Sequence, residues 1–148
     1  MSSYRQIYYH IIFGTKNHKP TLTDEFSEEI YKYIWGIIKN NNCKLYRING
    51  YKDHIHILSD LHPSLALANY IKDIKIASSV WIKSHGKFPN FDGWAEGYAA
   101  ITISHGDRDR IVEYIKNQKE HHKKESYIDE YRRILKEQGI DFDEKYLL

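Results

Sequence analysis

Two histidines separated by one isoleucine, His54 and His56, are the residues of this chain best suited to chemistry. Alternate side chains of a β-strand project from the same face, so in a strand both imidazoles point one way and Ile55 and Ile57 point the other way. Imidazole nitrogen is a common ligand of divalent metal ions. The pattern indicates a candidate metal site, but histidines on a strand face often meet only solvent, so the site needs a further ligand.

A further ligand and a nucleophile are both present in Tyr114-Ile115-Lys116-Asn117-Gln118. Residues four apart in a helix lie one turn apart on the same face, so Tyr114 and Gln118 would point at one spot. The amide oxygen of Gln118 can bind a metal ion, and the phenol of Tyr114 can act as a nucleophile.

Four short motifs resemble those of a known protein family. In chain order they are His54-Ile55-His56, Trp94-Ala95-Glu96-Gly97-Tyr98, Tyr114-Ile115-Lys116-Asn117-Gln118 and His121-His122. In this order and at these separations, the sequence resembles a single-tyrosine transposase of the HUH nuclease superfamily, from small bacterial and archaeal insertion sequences. The resemblance extends over nearly the whole chain, and the four motifs carry it together.

The resemblance implies a reaction and a set of roles. His54, His56 and Gln118 would hold a divalent ion, Mg²⁺ or Mn²⁺. Tyr114 would attack single-stranded DNA with hairpin ends, leaving a 5′-phosphotyrosine and a free 3′ hydroxyl, so that DNA can be cleaved and rejoined. Such transposases are homodimers, in which the helix that bears the tyrosine can complete the histidine site of the partner. We therefore expect a two-fold homodimer with composite sites, each with His54 and His56 from one chain and Tyr114 from the other.

Strands and helices alternate along the sequence in an order that can position these residues. Apolar runs bounded by Gly, Pro or Asn predict strands at residues 4–13, 43–48, 54–58 and 97–104. Apolar residues at helical spacing predict helices that begin after Thr23, at Pro63 and at Asp107. A last helix is predicted from Tyr127 to about Gln138.

This order of elements predicts an α+β fold, a ferredoxin-like sandwich whose antiparallel sheet carries two helices on one face. The first and third strands are central in that topology, so His54 and His56 would lie mid-sheet on the other face. The turn before the third strand is predicted at Asn49-Gly50. A helix over residues 107–123 would hold Tyr114 and cross the face with the histidines, as the catalytic helix.

Composition limits the function classes that remain. A chain of 148 residues fits a single domain over residues 1–148, and a net charge of +2 excludes a strongly basic nucleic-acid coat. The one cysteine, Cys43, excludes a zinc site built on several thiolates. We expect a cytoplasmic protein with no membrane span, since no apolar stretch approaches about 18 residues.

Three other interpretations stay open. A non-catalytic nucleic-acid-binding module on the same fold would carry these residues by coincidence. A metallohydrolase would hold an ion with His54 and His56 and use water as the nucleophile, so no covalent adduct would form. A replication-type HUH nickase would share the tyrosine chemistry.

Several further residues are weaker candidates for the site. His122 lies four residues after Gln118 and is a possible extra ligand, while Tyr127 and Tyr131 lack a ligand at the corresponding spacing. No carboxylate in the tyrosine motif is an evident base for Tyr114. Lysines that would suit a rim for the DNA backbone are Lys72, Lys75, Lys83, Lys116, Lys119, Lys123 and Lys124.

Overall fold

Four antiparallel strands form one sheet in the computed structural model, which describes residues 3–147. They are β1 (Tyr9–Gly14), β2 (Leu45–Tyr51), β3 (His54–Ser59) and β4 (Ala99–Thr102). Their order in the sheet is β2-β3-β1-β4, so β1 and β3 are the central strands. The predicted ferredoxin-like α+β arrangement is confirmed.

Two long helices, α1 (Ser27–Asn40) and α2 (Leu67–His85), cover one face of the sheet. Ile55 and Ile57 of β3 point into the core beneath them and are completely buried. Because side chains alternate along a strand, the histidines of β3 face the opposite side. The residues of α1 that are buried in this core at intervals of one turn are Ile30, Ile34 and Ile38.

Three shorter helices cover the opposite face: α3 (Arg108–Lys116), α4 (Gln118–His121) and α5 (Tyr127–Glu137). One buried apolar cluster joins α5 to β1 and β4, and its members include Ile12, Ile101, Ile134 and Leu135. A second joins α3 to β3 through Leu58, Ile111 and Ile115. The face that carries the histidines is therefore buried under helices.

The hairpin between β2 and β3 turns at residues 52–53, so the prediction of a turn at Asn49-Gly50 is wrong. Both residues lie inside β2 and pair with β3. A Cβ at Gly50 would lie 2.2 Å from the backbone oxygen of His54. The glycine is needed for the close approach of two strands rather than for a turn.

The predicted helix over residues 107–123 is two helices, because the chain departs from helical geometry at Asn117, where ψ is 15°. The side-chain amide of Asn49 donates to the backbone oxygen of Lys116 at 3.0 Å. This bond satisfies a carbonyl that a helix leaves free at its carboxyl end. The break falls inside the tyrosine motif.

The helix α2 begins at Leu67, and not at Pro63 as predicted. The residues before it form a turn, in which the amide of Leu65 donates to the backbone oxygen of His62 at 3.0 Å. Among residues 3–147, no helix combines the length and the apolar character that crossing a bilayer requires.

The loop over residues 93–98 packs against α2. Trp94 donates from Nε1 to Ser78 Oγ at 3.0 Å, and its ring packs edge-on against Phe13. The half-buried Lys75 donates to three backbone oxygens of the loop at 2.8–3.0 Å, those of Ala95, Glu96 and Gly97. Lys75 therefore fastens this loop to α2.

Candidate active site

The four residues predicted to form the site lie together in one chain. His54 and His56 project from β3, Tyr114 from α3, and Gln118 is the first residue of α4. Gln118 Oε1 lies 3.1 Å from His54 Nε2, and the ring centres of Tyr114 and His56 are 5.9 Å apart. His54, His56 and Gln118 are completely buried, and Tyr114 is partly buried.

Both imidazoles of β3 are held by hydrogen bonds at Nδ1. His54 Nδ1 lies 2.8 Å from Asp53 Oδ1, and His56 Nδ1 lies 2.8 Å from His10 Nε2. Partners on this nitrogen fix the orientation of a ring and leave Nε2 free to bind a metal ion. Sequence reasoning missed both Asp53 and His10.

A carboxylate from α5, Glu130, lies at the centre of the site and was also missed. Its Oε1 is 3.1 Å from His56 Nε2 and 3.4 Å from His54 Nε2. Its Oε2 accepts hydrogen bonds from the hydroxyl of Tyr114 and from Gln118 Nε2, the latter at 3.0 Å. Glu130 is completely buried and contacts all four of the predicted residues.

His122, which sequence reasoning considered as an extra ligand, also reaches the cluster. Its Nε2 lies 2.9 Å from Gln118 Oε1 and 3.0 Å from Glu130 Oε1. Its Nδ1 lies 2.7 Å from the backbone oxygen of Glu125. Ligand-type atoms of His54, His56, His122 and Glu130 all lie within 4.8 Å of one another. Nitrogen and oxygen donors at such separations fit one divalent metal ion.

Burial and neighbouring charge shift the pKa values of these groups. Burial lowers the pKa of His56 to about 4. Burial also acts to lower the pKa of His54, but hydrogen bonds to Asp53 and Glu130 outweigh it and raise that pKa to about 9. For Glu130, burial acts to raise the pKa, but the surrounding histidines, with His56 foremost, hold it well below its usual range.

The phenol of Tyr114 lies between a carboxylate and a guanidinium. Its hydroxyl donates to Glu130, and Arg133 Nη2 donates to the phenolic oxygen at 2.8 Å. Glu125 accepts from Nε and Nη2 of Arg133 and fixes its side chain, with the shortest contact at 3.0 Å. Burial, followed by the charge of Glu130, raises the pKa of Tyr114 above its usual value.

A cavity of about 170 Å³ lies beside this phenol. Arg110 and Arg133 are among its lining residues, and each pairs with a carboxylate that also lines the cavity, Asp107 and Glu137 respectively. Cationic groups beside a nucleophile suit a phosphate group of a substrate.

Tyr127, the first residue of α5, packs against the site through its ring. Its ring stacks on that of His54 with the centres 4.2 Å apart. The ring also packs against Gly14, at the end of β1, where a Cβ would lie 2.6 Å from the tyrosine ring. Tyr131 is partly buried and stacks on Tyr127. Both tyrosines have packing roles, as their spacing predicts.

The sequence held one signal for Glu130. Tyr127, Glu130 and Ile134 recur at helical spacing and are all buried, so a single carboxylate interrupts the apolar face of α5. Glutamate is almost never fully buried unless it is paired. An acidic residue at such a position indicates a polar partner, although the partners themselves lie on distant segments of the chain.

Comparison with known proteins identifies the family of this chain. The model of the family described as "Transposase IS200 like" matches residues 3–118. The ISDra2 transposase TnpA of Deinococcus radiodurans is 26% identical over 118 residues, which are 76% of this chain and 84% of the relative. The transposase of insertion sequence element IS200 from Salmonella typhimurium is 25% identical over 120 residues, 78% of each chain.

Solved structures show the same fold. A candidate transposase from Deinococcus radiodurans R1 superposes with a TM-score of 0.62 at 27% identity, covering 80% of this chain and 95% of that one. A REP-associated tyrosine transposase bound to a REP hairpin superposes with a TM-score of 0.61 at 16% identity, covering 82% and 74%. The match to the family model spans most of the chain and includes the histidines of β3 and the tyrosine motif, so the chain belongs to the IS200-like transposase family and is a DNA transposase.

Proposed function

We propose that this transposase cleaves and rejoins single-stranded DNA at insertion-sequence ends, with Tyr114 as the nucleophile. One observation carries the proposal: the Tyr114 hydroxyl shares the carboxylate of Glu130 with the side chains of His54 and His56. A nucleophile next to a potential ion site is the arrangement that phosphodiester cleavage through a covalent intermediate needs.

We infer that His54, His56 and Gln118 hold a divalent ion, Mg²⁺ or Mn²⁺. The donor set supports this, because the imidazoles of β3 are fixed at Nδ1 and direct Nε2 toward the amide oxygen of Gln118 and the carboxylate of Glu130. When bound, such an ion neutralises charge on the scissile phosphate and on the leaving oxygen.

The side chains around the phenol then account for the attack itself. The phenolic oxygen of Tyr114 forms a bond to phosphorus, and the 3′ oxygen of the DNA leaves with the electrons of the broken bond. Arg133 donates to the phenolic oxygen and favours negative charge there as the phenol loses its proton. The proton that the phenol loses is balanced by the one that the leaving 3′ oxygen gains, so the products are a 5′-phosphotyrosine and a 3′ hydroxyl. The reverse attack by another 3′ hydroxyl rejoins DNA without an external energy source.

The proposed partner is single-stranded DNA with hairpin ends. The REP-associated tyrosine transposase of the same fold is described as bound to a REP hairpin, which supports this substrate class. Two arginines line the cavity beside Tyr114, and a phosphate there would take the place of the carboxylates of Asp107 and Glu137 that now pair with them. We propose that the chain acts as a homodimer, and that it works in the cytoplasm because its substrate is DNA.

Replacing Tyr114 tests the proposal. We expect Tyr114→Phe to fold, to bind hairpin DNA and to form no covalent adduct with single-stranded DNA in the presence of Mn²⁺, because only the attacking oxygen is removed. A denaturing gel of protein and labelled DNA measures the adduct. Tyr33→Phe is the matched control, since Tyr33 is an exposed residue of α1 on the far side of the sheet and the adduct should persist.

The same gel separates the alternatives. An adduct that persists in Tyr114→Phe contradicts the assignment of the nucleophile. Cleavage without any adduct in the unaltered protein indicates a water nucleophile, and hairpin binding without cleavage indicates a binding module. A replication-type nickase would form the same adduct through the same chemistry, and the match to the IS200-like transposase family favours a transposase over it.

A further inference from the structure

Residues 119–147 lie beyond the segment that the family model matches, yet they contribute two side chains to the centre of the site. His122 follows α4 and Glu130 is on α5. The cluster of donor atoms therefore contains groups from outside the matched segment, in addition to His54, His56 and Gln118.

The hydrogen bonds of His122 restrict what its other nitrogen can do. Nδ1 faces the backbone oxygen of Glu125 at 2.7 Å, and because a carbonyl only accepts, Nδ1 carries the hydrogen. In a neutral imidazole Nε2 then presents a lone pair, which faces Gln118 Oε1 at 2.9 Å and Glu130 Oε1 at 3.0 Å. Three lone-pair atoms facing one another repel unless a proton or a metal ion lies among them, and a divalent ion in that position satisfies all three at once.

Glu130 divides its two oxygens between different partners. Oε1 faces the Nε2 atoms of His54, His56 and His122, whereas Oε2 accepts hydrogen bonds from Tyr114 and Gln118. A carboxylate with one oxygen directed at an ion and the other at the nucleophile would fix the distance between them. Glu130 is completely buried, which suits this role because water competes for neither of its carboxylate oxygens.

We propose that His122 and Glu130 are additional ligands of the ion and that Glu130 also anchors the phenol of Tyr114 to it. The proposal rests on the proposed function for the identity of the site as an ion site. Five side chains of this chain then surround the ion, so it binds without DNA. Three imidazoles among them favour Mn²⁺ and Zn²⁺ over Mg²⁺, which prefers oxygen ligands and retains water.

Calorimetric titration of Mn²⁺ into the metal-free, full-length protein without DNA tests this. We expect Glu130→Gln and His122→Ala each to weaken Mn²⁺ binding by about tenfold or more, at least the loss that outer-shell partners of a metal site typically cause. Glu113→Gln is the matched control, because Glu113 is an exposed carboxylate of α3, and its affinity should match that of the unaltered protein.

Thermal unfolding with and without Mn²⁺ gives a second readout of the same variants. The melting temperature of the unaltered protein should rise with Mn²⁺, and that of Glu130→Gln should rise less, since at a fixed ligand concentration the folded state gains stability with the logarithm of the binding affinity. If Glu130→Gln fails to fold without Mn²⁺, Glu130→Asp retains the charge and withdraws the carboxylate by one methylene. Its Mn²⁺ affinity should fall as well.

Unchanged Mn²⁺ affinity in folded Glu130→Gln and His122→Ala would overturn the proposal. Faster DNA cleavage by Glu130→Gln with unchanged affinity would also overturn it, because it would mean that the carboxylate occupies the place of the substrate phosphate. The outcome is independent of the Tyr114→Phe experiment, since an adduct at another tyrosine would alter the proposed function and leave the titrations unaffected.

Discussion

Arg133 approaches the phenolic oxygen of Tyr114 closely and is itself held by Glu125. A guanidinium in this position lowers the cost of negative charge on the oxygen as it loses its proton. This matters because burial and Glu130 raise the pKa of the phenol, which opposes formation of the nucleophile. Arg133 therefore offsets part of the free-energy cost that burial imposes on deprotonation of the Tyr114 phenol.

We expect Arg133→Ala to slow adduct formation by about 10²-fold, the usual loss when one donor to a developing oxyanion is removed. Single-turnover rates with labelled single-stranded DNA measure this. Arg132→Ala is the control, because the neighbouring Arg132 pairs with Glu144 and Asp129 at the surface. Equal rates for the two variants would show that Arg133 does not act on the nucleophile.

The sequence motifs predicted part of the site for a clear physical reason. His54 and His56 are neighbours along one strand, and Tyr114 and Gln118 are one turn apart, so local spacing shows each pair. Glu130 reaches the histidines from a segment more than 70 residues away, and nothing in local periodicity identifies that contact. The only indication of Glu130 in the local sequence was its position on the apolar face of α5.

The hairpin that carries the histidines depends on close packing of its two strands, β2 and β3. The backbones approach each other at Gly50 so closely that a Cβ would overlap the backbone oxygen of His54. The geometry of the β2–β3 hairpin thus sets the position of the first histidine. A disturbance here reaches the site without altering any of its side chains.

We expect Gly50→Ala to lower the free energy of unfolding by about 1–3 kcal/mol, the range for overpacking, because the strands must separate to admit the methyl group. Urea denaturation followed by circular dichroism measures this. Gly36→Ala serves as the comparison, since Gly36 lies within α1 with open space around it, and alanine there should stabilise by about 0.5–1 kcal/mol. Similar losses in both variants would contradict the role of close packing at Gly50.

The elements themselves were largely predictable, and the errors have tertiary causes. Alternating strands and amphipathic helices follow from local periodicity, and the sheet order was correct because their order along the chain matches the ferredoxin-like topology. The turn was misplaced because Asn49-Gly50 is typical of hairpin turns, whereas here the glycine permits strand contact. The break at Asn117 was missed because it coincides with a bond from Asn49, on another segment, to the end of α3.

For the whole molecule, the structure bears on how active sites are divided between chains. The family resemblance implies sites that combine histidines of one chain with the tyrosine of its partner. In the structure Tyr114 lies beside His54 and His56 of its own chain. Its hydroxyl is hydrogen-bonded to Glu130 and Arg133 of the same chain. These contacts show that a single chain carries every part of the site, so the expectation of shared sites has an alternative in sites that are complete within one chain.

Mixing two inactive variants tests this in the proposed homodimer. We expect a mixture of His56→Ala and Tyr114→Phe to form no adduct, because in self-contained sites each chain lacks one part. Subunit exchange must first be confirmed by mass spectrometry of differently tagged chains. Recovery of adduct in the mixture would instead show that the tyrosine of one chain serves the histidines of the other.

The contact of Tyr127 with Gly14 has a consequence for the way in which α5 can move. The ring of Tyr127 packs against the backbone at Gly14 and stacks on the ring of His54, and these two contacts fix its position. A shift of α5 by one residue along its axis, about 1.5 Å, would break the contacts of the Tyr127 ring and would move Glu130 away from the histidines at the same time. The position of the Tyr127 ring and the position of Glu130 are therefore coupled through α5, and we expect a methyl group at position 14 to displace both from outside the ion site.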